Sequence, residues 1–214
     1  MLYNAANFYG GITMKKIFLL VALLTSLFAQ NDYDVGVMYG RADAHNFGEI
    51  ISGNIAPHSS GTSVIMVDAG YKIVDNLLDY PFDIYVKAGI AKFSENGYDN
   101  DVYENTLYLK GYYSFNFLDN CIRLGMAEGA SYTYGTLYVE KLDALQKPDG
   151  NNSHYLNYLE VSLDLDFGKL VKYESFKNTY VGVELKHRSG IFGLINNVKH
   201  GGSNYDGFYV EKNF

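Results

Sequence analysis

From residue 155 to 167 apolar and polar side chains alternate. Val161, Leu163, Leu165 and Phe167 share one parity, and Glu160, Ser162, Asp164 and Asp166 the other. Successive side chains of a strand point to opposite faces, so a period of two predicts a strand with one apolar and one charged face. The pattern recurs, and eight strands are predicted near 33–41, 62–71, 83–92, 105–115, 121–129, 155–167, 178–189 and 204–214. Val37, Ile65, Val67, Leu107, Leu124, Val183 and Phe208 fall on the apolar parity; Lys87, Lys110, Arg123, Glu184, Lys186 and Arg188 fall on the other. A water-soluble sandwich would turn the apolar face into its core. A membrane barrel turns that face toward lipid and keeps the charges in its lumen, where facing opposite charges satisfy one another. An Arg or Lys on the lipid face at mid-membrane would cost roughly 2–4 kcal/mol, and this register avoids it.

The connections support the same architecture. Those near 42–61, 93–104, 130–153 and 190–203 are long and polar, while those near 72–82, 116–120 and 168–177 are on average shorter. Long outer loops alternating with short periplasmic turns is the plan of an outer-membrane barrel. The predicted fold is therefore an all-β, antiparallel outer-membrane β-barrel of about eight strands over residues 30–214. Eight strands leave an interior filled by side chains, which argues against a wide pore.

Composition sharpens the reading. The 214 residues hold 21 Tyr, 13 Phe and 22 Gly but only 3 Pro, a balance suited to sheet. A net charge of −7 offers no basic surface for nucleic acid. One cysteine, Cys121, permits no internal disulfide, and His45, His58, His154 and His200 lack ligand spacing, so neither a metal nor another cofactor is expected. Met14-Lys15-Lys16, the apolar run Ile17–Leu24 and the small residues before Gln30 follow the order of a secretory signal. Residues 1–29 are thus read as an upstream extension plus a cleaved signal peptide, with export to the bacterial outer membrane. Beyond that signal no run approaches the roughly 18 apolar residues of a membrane helix.

One constellation suggests chemistry. In Lys186-His187-Arg188-Ser189-Gly190, His187 and Ser189 share the parity of Val181, Val183 and Leu185, the lipid face, at the outer end of the strand. An imidazole beside a hydroxyl can act as the base that activates a serine nucleophile. On spacing alone the same pair reads instead as marking the membrane interface, where both residues are tolerated. On the neighbouring last strand Asn204 and Asp206 fall on the lipid-facing parity, and Asp206 is the carboxylate expected to orient His187. Asn196, Asn197, Ser203, Asn204 and amides near Gly190 and Gly201-Gly202 are candidate oxyanion or supporting groups. Glu128 falls on the lipid face with one strand between it and His187, Glu140 is read as a solvent-facing loop residue, and Glu160, Glu184 and Lys186 as lumen packing.

The stretch His187-Arg188-Ser189-Gly190…Gly201-Gly202-Ser203-Asn204 resembles the C-terminal active-site region of the PagL-type lipid A deacylases, of the acyloxyacyl hydrolase group. The resemblance spans the signal, the strand plan and roughly the last 30 residues. It implies a metal-free serine esterase that removes the ester-linked acyl chain at the 3-position of lipid A, in the lipopolysaccharide of the outer leaflet. It implies Ser189 as nucleophile, His187 as base and Asn197 as oxyanion asparagine. Two positions depart from the family: Gly190 stands where it has Asn, and its Glu position falls near Ser203–Asn204, leaving Asp206 as the substitute acid. The alternative is a non-catalytic barrel whose outer loops bind a partner or stabilise the membrane. The sequence leaves a homodimer open.

Overall fold

A computed structural model describes residues 32–214; the expected extension and signal, residues 1–29, lie outside the described residues. Eight antiparallel strands close into a barrel: β1 (Tyr33–Ala42), β2 (Ser63–Val74), β3 (Phe82–Ser94), β4 (Val102–Phe117), β5 (Asn120–Thr133), β6 (Tyr155–Asp166), β7 (Thr179–Ser189) and β8 (Ser203–Asn213). Each pairs with its sequence neighbour, and β1 pairs with β8, so no edge remains. All eight expected strands are present with the expected parity. The main differences are at their ends: β4 and β5 run on to Val102 and Thr133, because their outer rungs still pair, Glu104 with Thr133.

The barrel is apolar outside and charged inside. Val37, Ile65, Leu107, Leu124, Leu163 and Phe208 are exposed on the wall, whereas Lys87, Lys110, Arg123, Lys186 and Arg188 are buried in the lumen. Each buried cation has at least one carboxylate beside it. Lys87 Nζ lies 2.9 Å from Asp34, 2.9 Å from Asp68 and 2.6 Å from Glu211. The three carboxylates could otherwise enclose a metal ion; here the lysine ammonium fills their centre. Glycines make room for this cluster: a Cβ on Gly70 would lie 2.6 Å from the Asp34 carboxylate, and one on Gly36 2.9 Å from that of Asp68. Arg123 spans Asp164 at 2.8 Å and Glu211 at 2.9 Å, and Lys110 meets Glu160. With Tyr85, Tyr112, Tyr158 and Tyr205 fully buried between these pairs, the lumen is a packed polar core.

The end holding Tyr33 and Asn213 has the turns 75–81 and 118–119 and the connection 167–178, which carries a short helix, α3 (Phe167–Val171). At 118–119 both residues have positive φ, as a two-residue I′ turn requires. The other end carries the connections 43–62, 95–101, 134–154 and 190–202. Two of these hold helices, α1 (Phe47–Ile51) and α2 (Tyr138–Leu145). The expected alternation of loop lengths holds only in part, since 95–101 is no longer than 75–81 and 167–178 is comparatively long.

The connection 43–62 folds back over the outside of the wall instead of standing free. Leu185 is 5% exposed, while Val183, one outward position below it, is 49% exposed. Both line an apolar groove of about 420 Å³ together with Leu163, Phe208, Ile50 and Ile51 of α1 and Ile55 beyond it.

Candidate functional site

Strand register brings the candidate residues together on the outer face. His187 pairs with Asn204 on β8 and with Leu159 on β6, and Ser189 pairs with Asn157. Because same-face neighbours along a strand lie roughly 7 Å apart, an imidazole on one can reach a hydroxyl on the next by a rotamer change. His187, Ser189, Asn204, Asn157, Glu128 and Phe47 all line one groove of about 950 Å³ where the outer connections meet the wall. No hydrogen bond joins Ser189 Oγ to the imidazole among the described residues; such bonds often tighten only when substrate binds.

The residue that orients His187 is Asn204, whose Oδ1 lies 2.7 Å from His187 Nδ1. Asp206 does not take this part, contrary to the sequence expectation. It pairs with Leu185, one outward rung toward the membrane centre, and lines the apolar groove. The cause is parity combined with register: the outer end of β8 has two polar outward residues, and the pairing of β7 with β8 puts the first of them level with the histidine. The Asn204 amide is fixed at both ends. Its Nδ2 donates to the His45 carbonyl at 2.9 Å, which leaves Oδ1 as the atom facing the ring. An oxygen there can only accept, so Nδ1 carries the proton and Nε2 keeps the lone pair a general base needs.

The remaining candidates divide. Asn197 is exposed and is not among the residues lining the groove. Asn157 is 6% exposed, projects beside Ser189 and lines the groove, so it is the better-placed amide donor. Its parity in Tyr155–Asp166 was visible in sequence, but its pairing with Ser189 was not. Gly190 is fixed by packing: a Cβ there would lie 2.0 Å from the Val198 carbonyl, so an asparagine at this position has no room. Its own carbonyl accepts from Gly193 and Ile195, closing the turn after β7.

Glu140 corrects a second expectation. Far from facing solvent, it is fully buried on α2, accepting from Arg188 Nη1 at 2.6 Å and from the Ser203 hydroxyl at 2.8 Å. Arg188 also bonds the Ser131 hydroxyl at 2.7 Å, while Lys186 lies 2.8 Å from Glu104. These pairs hold the outer ends of β7 and β8 from the lumen side, directly behind His187 and Ser189. Glu160, Glu184 and Lys186 lie in the lumen, as expected.

No family model matches the sequence, and no curated protein matches it. Among solved structures the chain is similar to the crystal structure of the outer membrane enzyme PagL, with a TM-score of 0.54 at 13% identity over 85% of this chain and 99% of that one. It is also similar to Neisserial surface protein A, with a TM-score of 0.46 at 14% identity over 86% and 98% of the two chains. At 13% identity the first likeness is one of fold: this is an eight-stranded barrel of the outer-membrane kind.

Proposed function

We propose that the protein is an outer-membrane esterase that hydrolyses an ester-linked acyl chain of lipid A, reached from the lipid side of its wall. The observation that carries the reading is an outward-facing imidazole with Nδ1 held at 2.7 Å by Asn204 and with Ser189 one outward position away. A bilayer-embedded substrate approaches sideways, so a base and nucleophile at the outer rim of the wall stand where its ester linkages lie. The apolar groove beside α1 runs down from that rim and offers a surface for a hydrocarbon chain.

In this mechanism Ser189 Oγ attacks the ester carbonyl as its proton passes to His187 Nε2. The Asn157 amide donates to the oxygen that gains charge. The imidazolium then returns the proton to the departing sugar alkoxide. Water, deprotonated in turn by His187, releases the fatty acid and regenerates Ser189. Asn204 holds the ring as an amide does in Cys-His-Asn enzymes, fixing the tautomer without a charge to offset that of the imidazolium. Purified protein in mixed micelles with lipopolysaccharide is expected to release free fatty acid from ester but not amide positions. Release that is absent, or undiminished in S189A, would contradict the reading.

A non-catalytic barrel is the second reading. It is favoured by the neutral third residue and by the missing Ser189–His187 hydrogen bond.

A further inference from the structure

Asn204 differs from a carboxylate in having two unlike ends. A carboxylate presents an acceptor to Nδ1 whichever way it turns. An asparagine does so only if something else occupies its NH2 group. That something is the first outer connection: the His45 carbonyl accepts from Asn204 Nδ2 at 2.9 Å.

The connection is built to hold the carbonyl there. The Asp43 carboxylate accepts from the His45 amide at 2.6 Å and from the Ala56 amide at 2.8 Å, closing the base of the connection. Asp43 N in turn donates to Asn204 O at 3.0 Å, which ties the base of the connection to β8. Asn46 then starts α1 with a capping box, in which its side chain accepts from Glu49 N and its own N–H donates to Glu49 Oε2. That helix start brings the Phe47 ring to 5.0 Å from the His187 imidazole.

We infer that the 43–62 connection is a positioning element for His187: its His45 carbonyl orients the Asn204 amide, and the amide in turn sets which imidazole nitrogen is protonated. With the connection displaced, the amide is free to turn over and offer Nδ2 to Nδ1. Nδ1 then accepts, the proton resides on Nε2, and the ring has no lone pair to present toward Ser189. The closed connection is the base-competent state and the open one is not. The catalytic consequence rests on the esterase reading; the tautomer itself does not.

The test is ¹⁵N NMR of histidine-labelled protein in micelles, with His187 assigned by its loss in H187N, at a pH where the ring is neutral. Wild type is expected to show Nδ1–H with Nε2 unprotonated. Replacing residues 44–56 by a short Gly-Ser linker is expected to populate the Nε2–H form. Adding Asn204→Asp to that chain is expected to restore Nδ1–H, a rescue that a merely structural role for the connection would not give. Asp43→Ala, which loosens the connection without deleting it, serves if the shortened chain does not fold, with the same expectation. Nε2–H in wild type, or pure Nδ1–H in every loop variant, overturns the inference. Ester hydrolysis should fall on the order of a hundredfold with the loop variant and recover with Asn204→Asp, as loss of a general base implies. A tautomer shift with no hydrolysis in any chain would fail the esterase reading and leave this inference standing.

Discussion

Arg188 Nη1 donates to Glu140 Oε1 across 2.6 Å in the buried outer mouth of the lumen, and so joins β7 to the helix of the 134–154 connection. Arg188 lies between His187 and Ser189 in sequence but on the opposite face. The ion pair therefore supports the candidate site from behind without touching it. Removing one partner of a buried pair costs about 3–5 kcal/mol when the other charge is left uncompensated; here Glu104, 3.4 Å from Arg188 Nε, keeps part of the compensation. Glu140→Ala is expected to loosen the 134–154 connection and lower folding stability by less than that amount, and Glu140→Gln, which keeps an acceptor, costs less again. Urea-dependent loss of the heat-modifiable band, together with protease nicking in 134–154, measures both effects.

The Lys87 cluster gives a cleaner test of lumen electrostatics, since it lies far from His187 in the strand register. Lys87→Met leaves Asp34, Asp68 and Glu211 facing one another without their shared ammonium. The expected outcome is destabilisation of at least about 3 kcal/mol in urea titrations in vesicles. Of the fold that survives, any hydrolytic activity should be unchanged.

The opposite face predicts the opposite chemistry. Val67 is 42% exposed on the wall of β2, between Val37 and Ile90 of the neighbouring strands. If that wall meets hydrocarbon, Val67→Arg costs roughly 2–4 kcal/mol of folding stability in a bilayer. A wall that met water would tolerate the change, and folding titrations in phosphatidylcholine vesicles separate the two.

Glu95, just beyond the end of β3, makes the outer connections pH-sensitive. Burial pushes its carboxyl from the ordinary 4.5 up to about 7, against the pull of the Tyr138 amide and of Lys141. Its Oε2 accepts from Tyr138 N at 3.3 Å, at the start of α2. Because the packed state favours the neutral acid, its contribution is full below about 4.5 and is lost as pH rises through about 7. Amide exchange in 134–154 is expected to be slower, relative to an unstructured control, at pH 5.5 than at pH 8. Glu95→Gln should remove the difference.

How much of this was legible in sequence follows from what each feature depends on. Alternation of two faces is local, so the strands, the lumen set and the outward aim of His187 and Ser189 could be read from parity alone. Asp206 in place of Asn204 was a question of register between β7 and β8, and parity admits both residues. Glu140 was unreadable for a related reason: α2 lies in a long connection, and only the closed barrel brings its carboxylate over Arg188. The fold-back of 43–62 left a trace, Ile50, Ile51 and Ile55 in a nominally polar loop, but nothing local says which wall they cover.

Lipid A mass spectrometry on cells carrying the wild-type chain, S189A, H187N or an empty vector tests the esterase most directly. Lipid A from wild-type cells is expected to lack the mass of one ester-linked acyl chain, with full acylation in the other three at equal amounts of folded barrel. The same acylation in all four would contradict it.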